Sequence, residues 1–172
     1  GHDVRLMTSG NGVSYFEQRE QFEILGQFDA IQYGRDGDRL SILNTARAIP
    51  KMLKKIKRHE DQLEAALQQF KPDVVVTDSV YGYRPVKRQS IPWVALNNAD
   101  LVWNKFFRCQ PIRCSSLSQL LFVECIDYLF HKFFPDLVLS PRFLPMEPEY
   151  RGRYFISGPI VREGYDQMDA IE

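Results

Sequence analysis

The feature that most constrains this chain is a repeated switch between two hydrophobic periods. From residue 40 to 70, Ile42, Ala46, Ile49, Leu53, Ile56, Leu63, Leu67 and Phe70 recur at spacings of mostly three and four. That is the spacing of one face of a helix. Lys71-Pro72-Asp73 then breaks the pattern, and Val74-Val75-Val76-Thr77-Asp78 follows. A short β-branched run bounded by Pro and Asp suits a buried parallel strand. The switch recurs downstream: a strand over 91–96, a second helix over 116–134, and strands at 136–139 and 154–156. Strands alternating with helices at this spacing predict an α/β fold with a mainly parallel sheet and helices on both faces.

The remaining segments are less regular. Val4, Leu6 and Met7 predict a strand that empties into Thr8-Ser9-Gly10-Asn11-Gly12, a turn. A short polar helix is expected over 14–21, a strand over 28–33 and a loop over 34–38. Pro50 lies inside the long helical pattern. Proline lacks the amide donor and disfavours helix at the residue before it, so a kink or two abutting helices are expected at Ile49–Pro50. Gly82 and Pro85 weaken the helix expected over 81–89. These pieces make one domain over 1–162, with a polar linker over 163–172.

Composition excludes several classes. Lys plus Arg number 22 and Asp plus Glu number 22, so no positive surplus offsets phosphate charge and nucleic acid is not an expected partner. Cys109, Cys114 and Cys125 have neither the count nor the spacing of a disulfide framework or a zinc site, and fit a reducing compartment. His59 and His131 lack Cys or carboxylate partners at ligand spacing, so neither a metal nor a cofactor is expected. The apolar region 117–139 is interrupted by Glu124, Asp127, His131, Lys132 and Asp136. It falls short of the ~18 uninterrupted apolar residues of a membrane span. Phe130, Phe133 and Phe134, with Leu120 and Leu121, are expected as helix core. Residues 1–20 lack the basic start and apolar run of a signal peptide.

In open parallel sheets, ligands bind beyond the C-terminal ends of the strands. That rule selects three polar strand ends: Ser9 to Gly12, Asp78-Ser79, and Asn97-Asn98 with Asp100. Each has a structural alternative. Asp78 and Ser79 suit the N-cap of a following helix. Asn97, Asn98 and Asp100 suit either a sugar, whose hydroxyls need both donors and acceptors, or a turn. Gly10-Asn11-Gly12 suits close backbone approach to a ligand or a plain turn. Lys51, Lys54, Lys55 and Arg58 share one helix face, suited to anionic lipid headgroups or to solvent, the latter helped by Lys57 and Asp61 at i,i+4.

Four segments in order resemble the N-terminal domain of the GT-B glycosyltransferases, nearest to the subgroup of the lipid-linked GlcNAc transferase of peptidoglycan synthesis. They are GHDVRLMTSGNG (1–12), KPDVVVTDS (71–79), SIPWVALNNAD (90–100) and YFISGPIVR (154–162). The resemblance implies a Rossmann-like, acceptor-side domain. Its first β/α unit, with a glycine-rich loop often carrying a catalytic His, would lie upstream of Gly1, and a donor-binding domain downstream of Glu172. Asp78 would be the catalytic carboxylate that orients that His. Gly10, Asn11, Gly12, Ser79, Asn97, Asn98 and Asp100 would hold the acceptor, and Gly158 and Arg162 would shape the interdomain linker. A nucleotide-sugar donor, a sugar or lipid-linked acceptor, and a cytoplasmic site with peripheral membrane contact are implied. The chain alone would be inactive and bind UDP weakly. Two other readings stay open: a non-catalytic subunit of a split transferase that docks membrane or acceptor, and a nucleotide-sugar epimerase with a GT-B fold.

Overall fold

The computed structural model describes residues 1–17, 22–28, 34–36, 39–78, 82–101 and 125–160. They fall into two compact units, Gly1–Val75 with Val80–Pro92, and Val76–Ser79 with Trp93–Glu172.

In the first unit, β1 (Arg5–Ser9), α1 (Asn11–Glu17) and β2 (Glu23–Phe28) follow in β/α/β order, the two strands parallel from Arg5↔Glu23 to Ser9↔Phe28. The second strand lies upstream of the expected 28–33, whose residues 29–33 fall outside the described ones. Gly26 splits the apolar run of β2, which hid it from a pattern reading. The loop expected over 34–38 holds the short strand β3 (Arg35–Asp36), which pairs antiparallel with β4 (Arg39–Leu40) just beyond it.

Helix α2 (Ile42–Phe70) dominates this unit. Ser41 caps its start by accepting from the Asn44 amide at 3.3 Å, which satisfies one of the amides a helix start leaves unpaired. Lys71 closes it in the left-handed conformation, φ 52°, its amide bonded to the Leu67 carbonyl. The helix runs continuously through Pro50 instead of splitting into two. Pro50 and Ala46 are both exposed, so water can take the Ala46 carbonyl that proline's missing amide leaves open. Leu63, Ala66 and Leu67 are buried, as is Val86 of α3 (Arg84–Arg88). Gly82 lies against α2, where a Cβ would come within 3.3 Å of the His59 Cβ.

The second unit carries a five-stranded sheet in the order β5 (Val75–Asp78), β6 (Trp93–Leu96), β7 (Leu137–Pro141), β9 (Tyr154–Ser157), β8 (Glu149–Arg151). Strands β6, β7 and β9 are parallel, and β8 returns antiparallel beside β9. The fold is therefore α/β and Rossmann-like with a mostly parallel sheet, as the alternation predicts. One face is fully covered: Trp93, Ala95, Val138, Ser140, Tyr154 and Ile156 are all buried. Tyr128 of α4 (Cys125–Phe133) packs on that face, against Val138, Tyr154 and Ile156. Only this part of the helix expected over 116–134 is described.

Strand β5 departs from expectation. It stands at the edge of its sheet, and Val76 is 64% exposed. A run of three valines signals burial on both faces only when both flanks are paired or covered, and β5 has a strand on one side alone among the described residues. Trp93 anchors it there: the indole Nε1 donates to Thr77 Oγ1 at 2.8 Å, while the Trp93 backbone exchanges hydrogen bonds with Asp136.

Candidate active site

The Val75 amide bonds to the Pro92 carbonyl at 2.9 Å, so β5 and β6 start side by side. Their far ends, Asp78 and Asn97, accordingly reach the same edge of the sheet. The end of β7 joins them, since the Asn97 amide donates to the Leu139 carbonyl at 3.0 Å. Asp78, Asn97, Asn98 and Asp100 thus belong to one strand-end edge, where an α/β fold binds ligands. Ser79 lies outside the described residues, as does Arg162.

The four side chains differ sharply in surroundings. Asp78 is exposed at the end of β5. It does not cap α3, which starts at Arg84 with Tyr83 at the cap position, so that alternative reading is not realised. Asn97 is occupied internally. Its Oδ1 accepts from the Ala99 amide at 2.6 Å and its Nδ2 donates to Asp127 Oδ2 at 3.0 Å. The first of these is the Asx-turn chemistry that starts a helical turn at Ala99. Asn98 is exposed beside it.

Asp100 is 7% exposed and fully engaged. Its Oδ2 takes Arg142 Nη2 at 2.5 Å, and its Oδ1 accepts Ser140 Oγ at 2.6 Å and Arg142 Nη1 at 3.4 Å. Arg142 Nη1 also reaches Ser140 Oγ at 2.8 Å. A two-pronged guanidinium matches a carboxylate in both charge and shape. Ser140 and Arg142 are the partners that sequence reading missed. They close β7 with a polar strand end, Ser140-Pro141-Arg142, which the same strand-end rule would have selected had it been applied there.

Behind this edge lies a second polar chain. His131 is 1% exposed; its Nδ1 sits 2.8 Å from the Asp127 carbonyl and 3.4 Å from Asp127 Oδ1. Its Nε2 has no partner among the described residues. Tyr154, also buried, has its phenol pushed well above the ordinary range, chiefly by burial and then by Tyr128, Asp100 and Asp127 nearby. No group of three or more His, Cys, Asp or Glu residues able to hold a metal occurs among the described residues.

In the first unit, Gly10 has φ 57° and passes the chain into α1, whose first residues are Asn11 and Gly12. The expected turn is thus shorter, because Asn11 and Gly12 belong to the helix. A Cβ at Gly12 would collide with Thr8 Oγ1, so the absence of a side chain there already serves packing. On α2, Lys51, Lys54 and Arg58 are exposed and Lys55 is half-buried. Among the described residues no helix is long and apolar enough to cross a membrane. Gly158 follows β9, half-buried beside Met146.

Over 114 residues the chain is 32% identical to an uncharacterized glycosyltransferase of Methanosarcina acetivorans. The match covers 61% of this chain and 30% of that protein, so these residues correspond to less than a third of the relative's length. The likeness supports a relationship to glycosyltransferases. No protein-family profile matches the chain, and no solved structure matches it.

Proposed function

We propose that these residues form the acceptor-side part of a glycosyltransferase of GT-B type, a hexosyltransferase that takes its sugar from a nucleotide donor. The observation that carries this reading is the likeness to the Methanosarcina acetivorans glycosyltransferase in a chain where the polar ends of β5, β6 and β7 share one sheet edge. In this reading Asp78 is the carboxylate that orients a general-base imidazole contributed from outside the described residues and stabilises the cation that this imidazole becomes as it takes the proton of the acceptor hydroxyl. Ser79 and Asn98 contact the acceptor. Asn97 and Asp100 act by holding the edge in shape, given their internal partners. Gly158 and Arg162 lead toward a donor-binding domain.

The test is turnover by the longer protein with nucleotide-sugar donors, native and Asp78→Asn. The substitution keeps size and removes charge, so turnover should fall ten-fold or more, on the order of 1.4 kcal/mol in the barrier. Normal turnover, or a loss only in step with stability, removes Asp78 from the chemistry. A second measurement probes which half of the enzyme this is. Calorimetric titration of the chain with UDP should show no saturable micromolar binding, since donor contacts belong to the other domain in this reading. Tight binding would reverse the assignment.

The membrane reading is carried by α2, where Lys51, Lys54 and Arg58 are exposed together with Leu43 and Leu53. Basic and apolar groups side by side suit an interfacial helix. Co-sedimentation with vesicles rich in anionic lipid should exceed that with neutral vesicles, and equal binding to both would remove it.

A further inference from the structure

We draw no further inference here: the strongest candidate, the face of the second unit's sheet opposite α4, where Val94, Leu96, Leu137, Leu139 and Phe155 stay half-buried and Val76 is exposed, is an apolar surface unpartnered among the described residues, and nothing in the structure shows what covers it.

Discussion

Asp78 and Asp100 stand at the same sheet edge, after the neighbouring strands β5 and β6, and the same strand-end rule selects both. The structure gives them opposite surroundings. Asp78 is open to water at the end of an edge strand, whereas Asp100 is enclosed and gripped by Arg142 and Ser140. The difference shows what a polar residue at a strand end does for its protein. A carboxylate held on both oxygens by fixed donors organises the edge. One that remains exposed at a strand end can be reached by something that arrives. The contrast can be broken by experiment, beginning where the effect on folding should be greatest.

Replacing Asp100 by Ala leaves the Arg142 guanidinium with no carboxylate beside it in a largely enclosed position. Removing one member of a buried pair typically costs about 3–5 kcal/mol, because the remaining charge is uncompensated. Chemical denaturation of Asp100→Ala should show a loss of that order. Changing both partners together, Asp100→Leu with Arg142→Met, should recover much of it, since an apolar pair of similar volume avoids the stranded charge. A loss below about 1 kcal/mol for Asp100→Ala would erase the distinction between the two aspartates.

Tyr154 extends the contrast to pH. Its phenol is raised in the folded chain above the ordinary value of about 10.0, so above that pH the folded chain retains a proton that the unfolded chain has released. Stability must then fall as pH rises, by up to about 1.4 kcal/mol per unit for one such group. Denaturation midpoints from pH 9 to 11 should drop more steeply for the native chain than for Tyr154→Phe. Parallel curves would mean that the phenol is not held neutral by its surroundings. The exposed pair of Arg88 with Glu64, at 2.8 Å, marks the scale below this. Arg88→Ala should cost no more than about 1 kcal/mol, and less in high salt.

Four of the five strands of the second unit's sheet were legible because their signals are local. A β-branched or aromatic run between breakers at 74–78, 91–96, 136–139 and 154–156 locates each strand to within a few residues. What stayed hidden depends on pairing. The valines of β5 read as buried, but burial is a property of neighbours, and the strand lies at an edge. Glu149–Arg151 has no hydrophobic signature and becomes β8 only because β9 offers it a partner. Pro50 argues for a break in α2 through local geometry, while the cost of its missing hydrogen bond is set by solvent at Ala46. The site follows the same division. Strand-end logic located Asp78, Asn97 and Asp100. No spacing in the sequence reveals that Arg142, 42 residues away, neutralises Asp100, or that Asp127 takes the Asn97 amide.

The smallest expected effect belongs to Asp78, and it separates the two aspartates most clearly. Its side chain is exposed at the end of β5, and no helix start depends on it, since α3 is capped at Tyr83. Surface substitutions away from caps and cores usually stay within about 0.5 kcal/mol. Asp78→Asn in this chain should therefore leave the denaturation midpoint and slope nearly unchanged, against the large loss for Asp100→Ala under the same conditions. The longer protein supplies the other half of the comparison, where Asp78→Asn should lower turnover ten-fold or more while melting with the native enzyme. An exposed carboxylate that can be removed without disturbing the fold yet not without loss of rate is acting on the substrate side of the edge. If Asp78→Asn instead destabilises the chain by more than about 1 kcal/mol, Asp78 belongs with Asp100 among the residues that build the edge, and the exposure that sets it apart has no chemical consequence.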